Sequence, residues 1–138
     1  KTSAYGEIYL LSFKMFLDNP ITGIGINNFK FLCENNKIYQ NMMIHYECAS
    51  HPHNIYIQWL TEGGLIVFVL FIMYLIFFIY FIKNNSGEKK YKIISIAIIV
   101  IMFWPIMSTG SLIKNWYGVS TFFIIGLIMC LSKFRNNF

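Results

Sequence analysis

The stretch SHPHNIYIQWLTEGGLIVFVLFIMYLIFFIYFI, residues 50–82, decides the fold. Its second half, Gly64 to Ile82, carries no charge. As a helix rising about 1.5 Å per residue it is long enough to cross a hydrocarbon core of roughly 30 Å. Its first half sets two imidazoles, a carboxamide and a carboxylate directly before that run, which places titratable chemistry at a membrane surface. Pro52 restricts His51 to extended backbone, and Asn54 is a natural cap for a helix starting near Ile55. That helix aligns Asn54, Gln58, Thr61 and Glu62 along one side by three- and four-residue spacing. Gly63 and Gly64 either end it or kink it into the span.

Composition agrees with a membrane protein. The 138 residues are 57% hydrophobic and 19% aromatic but only 12% charged, and the apolar residues fall in blocks. The net charge of +5 suggests nucleic acid until it is located along the chain. Residues 1–63 hold four lysines against five carboxylates, whereas residues 64–138 hold seven basic residues against Glu88 alone. The excess flanks apolar spans, as in cytoplasmic loops, so no nucleic-acid partner is expected. Lys1 opens the chain without an initiator methionine, and the expectation is the end portion of a longer protein.

In order, residues 1–17 read as a moderately amphipathic helix too short to span, stopped by Asp18-Asn19-Pro20. Gly23 and Gly25 then mark a tight turn, or less simply a nest of amides for a phosphate. Residues 30–50 are polar and include Cys33 and Cys48, which an oxidising compartment would allow to pair; a disulfide there is expected. The fold class expected is all-α. An extracytoplasmic region with short helices, residues 1–63, precedes three transmembrane helices near 64–82, 93–110 and 116–132. Loop 83–92 and the tail from Lys133 are both basic and fall on one side, which the positive-inside rule makes cytoplasmic. Residues 1–63 and the polar reversal at 108–116 then face outward.

For His51 and His53 the residues alone leave three readings open. They are ordinary loop histidines, or a base able to accept a proton from a hydroxyl near neutral pH, or two ligands of a zinc ion completed by His45, Cys48 or Glu47. No metal ion is expected.

NPITGIGINNF, then SHPHNIYIQWLTEGGLIVFVLF, then FWPIMSTGSLIKNW, in that order, resemble the carboxyl-terminal part of the O-antigen ligase and O-antigen polymerase superfamily. These are bacterial inner-membrane enzymes acting on glycans carried by undecaprenyl pyrophosphate. The resemblance implies metal- and cofactor-independent inverting transfer to an acceptor hydroxyl of a lipid or glycan, outside the inner membrane. His53 would be catalytic with His51 as its neighbour, and Asn54, Gln58, Glu62 and Lys114 would be substrate-binding. The family usually carries an arginine where this chain has Tyr5, so the pyrophosphate contact is expected from Lys1, Lys14, Lys114 or an upstream segment. The alternatives are a transporter fragment or a non-catalytic membrane scaffold. Three spans do not enclose a polyprenyl-linked substrate, so the segment alone is expected to be inactive.

Overall fold

The computed structural model describes residues 3–85 and 89–134. Lys1, the centre of the basic loop and the tail from Arg135 lie outside the described residues. Among those described, only helices occur, joined by turns: α1 (Ala4–Asp18), α2 (Phe29–Asn35), α3 (Lys37–Gln40), α4 (Ile55–Asn85), α5 (Lys89–Met102) and α6 (Asn115–Phe134). The all-helical expectation holds.

Ser3 caps α1 by accepting the Gly6 N–H at 3.2 Å, and Asn19 closes the other end on the Met15 and Phe16 carbonyls. Ile8, Leu11, Ser12 and Met15 form its buried face, while Leu10, Phe13 and Leu17 on the opposite side are exposed. The buried face packs with Phe29, Cys33, Tyr39 and Met43 into a small core. Cys33 and Cys48 are joined in a disulfide with Cα atoms 5.9 Å apart. The bridge closes a loop containing Tyr39 and Met43 of that core. Replacing both cysteines by serine is expected to lower stability by about 3 kcal/mol, because the crosslink removes loop entropy from the unfolded chain. Thermal melts with and without reductant check this; coinciding melts of wild type would refute it.

The second core joins Ile55, Phe71, Phe78 and Ile82 of α4 to Ile99 and Phe103 at the α5 end and Ile125 and Ile128 of α6. Of the described helices, α4 alone is long and apolar enough to cross a membrane by length and composition. The apolar part of α6, Trp116–Cys130, is shorter, and α5 has 14 residues, so three spans do not emerge from length and composition. The helix expected to reach residue 110 stops at Met102. Pro105 has no N–H to donate and drives Trp104 out of helical backbone, so residues 103–114 run as an irregular reversal.

Candidate functional site

The site is built on a broken helix. Gly64 has φ 65° and ψ −168°, which interrupts α4 about two and a half turns below its start. A break in a buried helix strands carbonyls before it and amides after it. Here the turn at residues 20–25 fills the gap. The Ile24 and Gly25 amides donate to the Thr61 and Glu62 carbonyls at 3.1 and 3.0 Å, and the Leu65 and Ile66 amides donate to the Pro20 and Ile21 carbonyls at 2.9 and 3.3 Å. The backbones approach so closely that a Cβ on Gly23 would collide with the Glu62 carbonyl, and one on Gly64 with the Ile21 carbonyl. The Gly23 amide is taken by the Asn19 carbonyl at 3.0 Å. The amides of Gly23, Ile24 and Gly25 are therefore occupied by backbone, and the phosphate-nest reading gives way to a structural splice.

Above the break, the HPHN turn starts α4. Asn54 Oδ1 accepts the Tyr56 and Ile57 amides at 3.0 and 3.1 Å, the capping expected from sequence. Its Nδ2 donates to the Pro105 carbonyl at 2.7 Å. The residue before it, His53, sits in left-handed backbone with φ 56°, uncommon for a side chain of this size, and its carbonyl accepts the Thr109 amide at 2.8 Å. The His51 and His53 ring centroids lie 4.2 Å apart. Ser50 Oγ bonds His51 Nδ1 at 2.8 Å, and Lys114 Nζ donates to the Ser50 carbonyl at 3.1 Å, which brings an exposed cation beside the pair. Tyr5 of α1 stands perpendicular to His53 with centroids 5.8 Å apart, so the position where the resemblance expects an arginine faces the histidines. Lys14 is occupied by Asp18 on its own helix.

The deeper polar residues turn inward. Gln58, 2% exposed, donates from Nε2 to Ser111 Oγ at 2.8 Å and to Glu62 Oε2 at 3.0 Å. Glu62 is 1% exposed and its Oε1 meets no hydrogen-bond partner among the described residues. Thr61 Oγ1 donates to the Ser12 carbonyl at 3.2 Å, tying α4 to α1. The structure thus gathers His51, His53 and Lys114 at the rim, Asn54 at the helix start, and Gln58 and Glu62 successive turns below. Cys33 and Cys48 belong to the neighbouring small core. An apolar cavity of about 270 Å³ lies between α4, the 103–114 reversal and α6, lined by Trp59, Leu70, Phe71, Phe103, Leu112 and Ile125 among others.

The zinc reading finds no third ligand gathered with His51 and His53 among the described residues. His45 Nδ1 bonds Glu7 Oε1 at 2.7 Å and Cys48 is in the disulfide, and no cluster of three or more metal-binding side chains occurs among the described residues. Sequence reasoning passed over Ser50, Thr109 and Ser111 as partners of the histidine turn. The polar reversal was visible in the sequence, but nothing in its spacing shows which residues it meets.

Burial holds the His51 pKa below its ordinary value, the His53 charge adds to this, the Thr109 backbone opposes it, and the Lys114 charge lowers it further. A histidine whose folded pKa is depressed stabilises the fold above its unfolded pKa near 6.5 and loses that contribution as pH falls through the folded value. The melting temperature should therefore drop on acidification below about pH 6.5, and His51→Gln should flatten the drop. Parallel pH–melt curves for wild type and variant would refute the assignment.

Residues 1–72, which include the splice, both histidines and the whole polar stripe of α4, match the sequence model of the O-antigen ligases. The chain belongs to the O-antigen ligase family. No curated protein and no solved structure matches it. As a member of this membrane-protein family the chain is of glycosyltransferase-like enzyme type, with lipid-linked glycans as the coarse substrate class. The match ends within α4, so α5, the 103–114 reversal and α6 lie beyond the matched segment.

Proposed function

We propose that this O-antigen ligase-family chain carries out inverting glycosyl transfer from an undecaprenyl-pyrophosphate-linked glycan to an acceptor hydroxyl, on the outer face of the bacterial inner membrane. The observation that carries the reading is the His51–His53 pair, 4.2 Å between ring centroids, with Lys114 beside it and within a segment matching the family. His53 accepts the acceptor's hydroxyl proton as the oxygen attacks the anomeric carbon, and the carbon–oxygen bond to the pyrophosphate breaks on the opposite face. Lys114 offsets the charge of the departing pyrophosphate as a single point charge, a weaker arrangement than a bidentate arginine. His51, kept neutral by burial, buttresses His53 without competing for its proton. Asn54 and Gln58, hydrogen-bonded within the protein, serve this chemistry by holding the turn, and the apolar cavity under the reversal suits the lipid chain.

The test uses membranes containing the full-length protein, supplied with the lipid-linked glycan in the presence of EDTA. Transfer with inverted anomeric configuration is expected. Retained configuration, or dependence on a divalent ion, would overturn the mechanism. Movement of intact lipid-linked glycan across the membrane without bond formation would put a transporter in its place. Growth of the glycan by repeat units identifies a polymerase, and transfer of a finished chain identifies a ligase.

A further inference from the structure

Six hydrogen bonds join the start of α4 to the 103–114 reversal, each across 47 or more residues. Lys114 Nζ reaches the Ser50 carbonyl at 3.1 Å, the Thr109 amide the His53 carbonyl at 2.8 Å, and Asn54 Nδ2 the Pro105 and Met107 carbonyls at 2.7 and 3.4 Å. Tyr56 Oη donates to the Phe103 carbonyl at 2.6 Å, and Gln58 Nε2 to Ser111 Oγ at 2.8 Å. Five of the six use a backbone group on one side. The sixth, Gln58 to Ser111, is made by two side chains, both at most 2% exposed. The reversal has no helix or sheet of its own to hold it, so these contacts and its flanking helices set its course. Ser111 is two residues from Thr109, whose amide donates to the carbonyl of the left-handed His53.

We propose that Ser111 is a positioning residue of the histidine site: its bond to Gln58 anchors the reversal on α4, so that the Thr109 amide holds His53 in its left-handed conformation. This rests on the reading of His53 as the base. Left-handed backbone at a non-glycine residue persists only where its surroundings over-determine it. When the anchor is cut, the Thr109 amide is free to drift and His53 relaxes toward ordinary backbone, which turns its ring away from Lys114 and Tyr5. A buried Gln58 deprived of its acceptor adds to the displacement, since a stranded donor seeks another partner.

The experiment compares Ser111→Thr, which keeps a hydroxyl, with Ser111→Val, which has the same shape without one, in the full-length protein in its membrane. Transfer is measured per folded molecule as a function of acceptor concentration and pH. Ser111→Thr should stay within about twofold of wild type, whereas Ser111→Val should lose about tenfold in kcat with KM nearly unchanged. The acid limb of the pH profile should also shift in the valine variant only. Wild-type kcat and pH profile in Ser111→Val, with reduced membrane abundance alone, would show a purely structural serine and overturn the proposal. Equal losses in the threonine and valine variants would do the same, because shape and not the hydroxyl would then decide. If the valine variant does not accumulate, Gln58→Met cuts the same bond from the other side; an unchanged kcat there refutes the proposal, and a fall with unchanged KM supports it. Full transfer by a His53→Ala control would instead bring down the assignment of the base, leaving the effect of Ser111 to be read against another group.

Discussion

Replacing His53 by alanine removes glycan transfer almost completely while leaving the protein in the membrane. A positioned general base contributes roughly 10²–10⁴-fold to rate, and His51, with Nδ1 bonded to Ser50 and Nε2 buried, offers no exposed nitrogen to take over the proton. The fold should tolerate the change, because the His53 contact that organises the turn is made by its backbone carbonyl and survives in alanine. Alanine at φ 56° costs about 1 kcal/mol, no more than histidine already bears. Equal membrane abundance with transfer reduced at least a hundredfold is the expected result. Transfer within a few-fold of wild type would remove His53 from the chemistry.

The largest structural effect is expected from Gly64→Ala. A methyl group there collides with the Ile21 carbonyl and the Gly23 amide, and both are backbone, so no rotamer change relieves it. The turn at residues 20–25 would have to withdraw, which unpairs the amides of Ile24, Gly25, Leu65 and Ile66 together with the carbonyls they meet. A buried polar group left without a partner costs about 1–3 kcal/mol, so the loss of four pairs is comparable to the whole stability of an ordinary domain, about 5–15 kcal/mol. The variant should fail to accumulate. Gly126→Ala is the control, since a Cβ at Gly126 on α6 meets nothing within 4 Å and should be accepted without loss. Membrane levels of the two variants, measured side by side, decide it; normal accumulation of Gly64→Ala would show that the splice does not hold the break together.

Sequence and structure contribute different parts of this picture. The charge-free run from Gly64 to Ile82, the Asn54 cap, the break at Gly63-Gly64 and the polar stripe of Gln58 and Glu62 were legible in the sequence. Each is a local property: helix period, capping and glycine backbone freedom depend on residues within a turn or two of one another. The lengths of the later helices were less legible, because Trp104-Pro105 ends α5 where the apolar pattern alone would continue it. Only the tertiary structure decided that the glycine turn at residues 20–25 occupies the break in α4, that Tyr5 faces His53, that His45 is held by Glu7, and that the 103–114 reversal grips the start of α4. Those pairings join groups roughly 40–60 positions apart. No periodicity encodes which amide meets which carbonyl at that distance; the need to satisfy every buried polar group selects the partner once packing has brought the segments together.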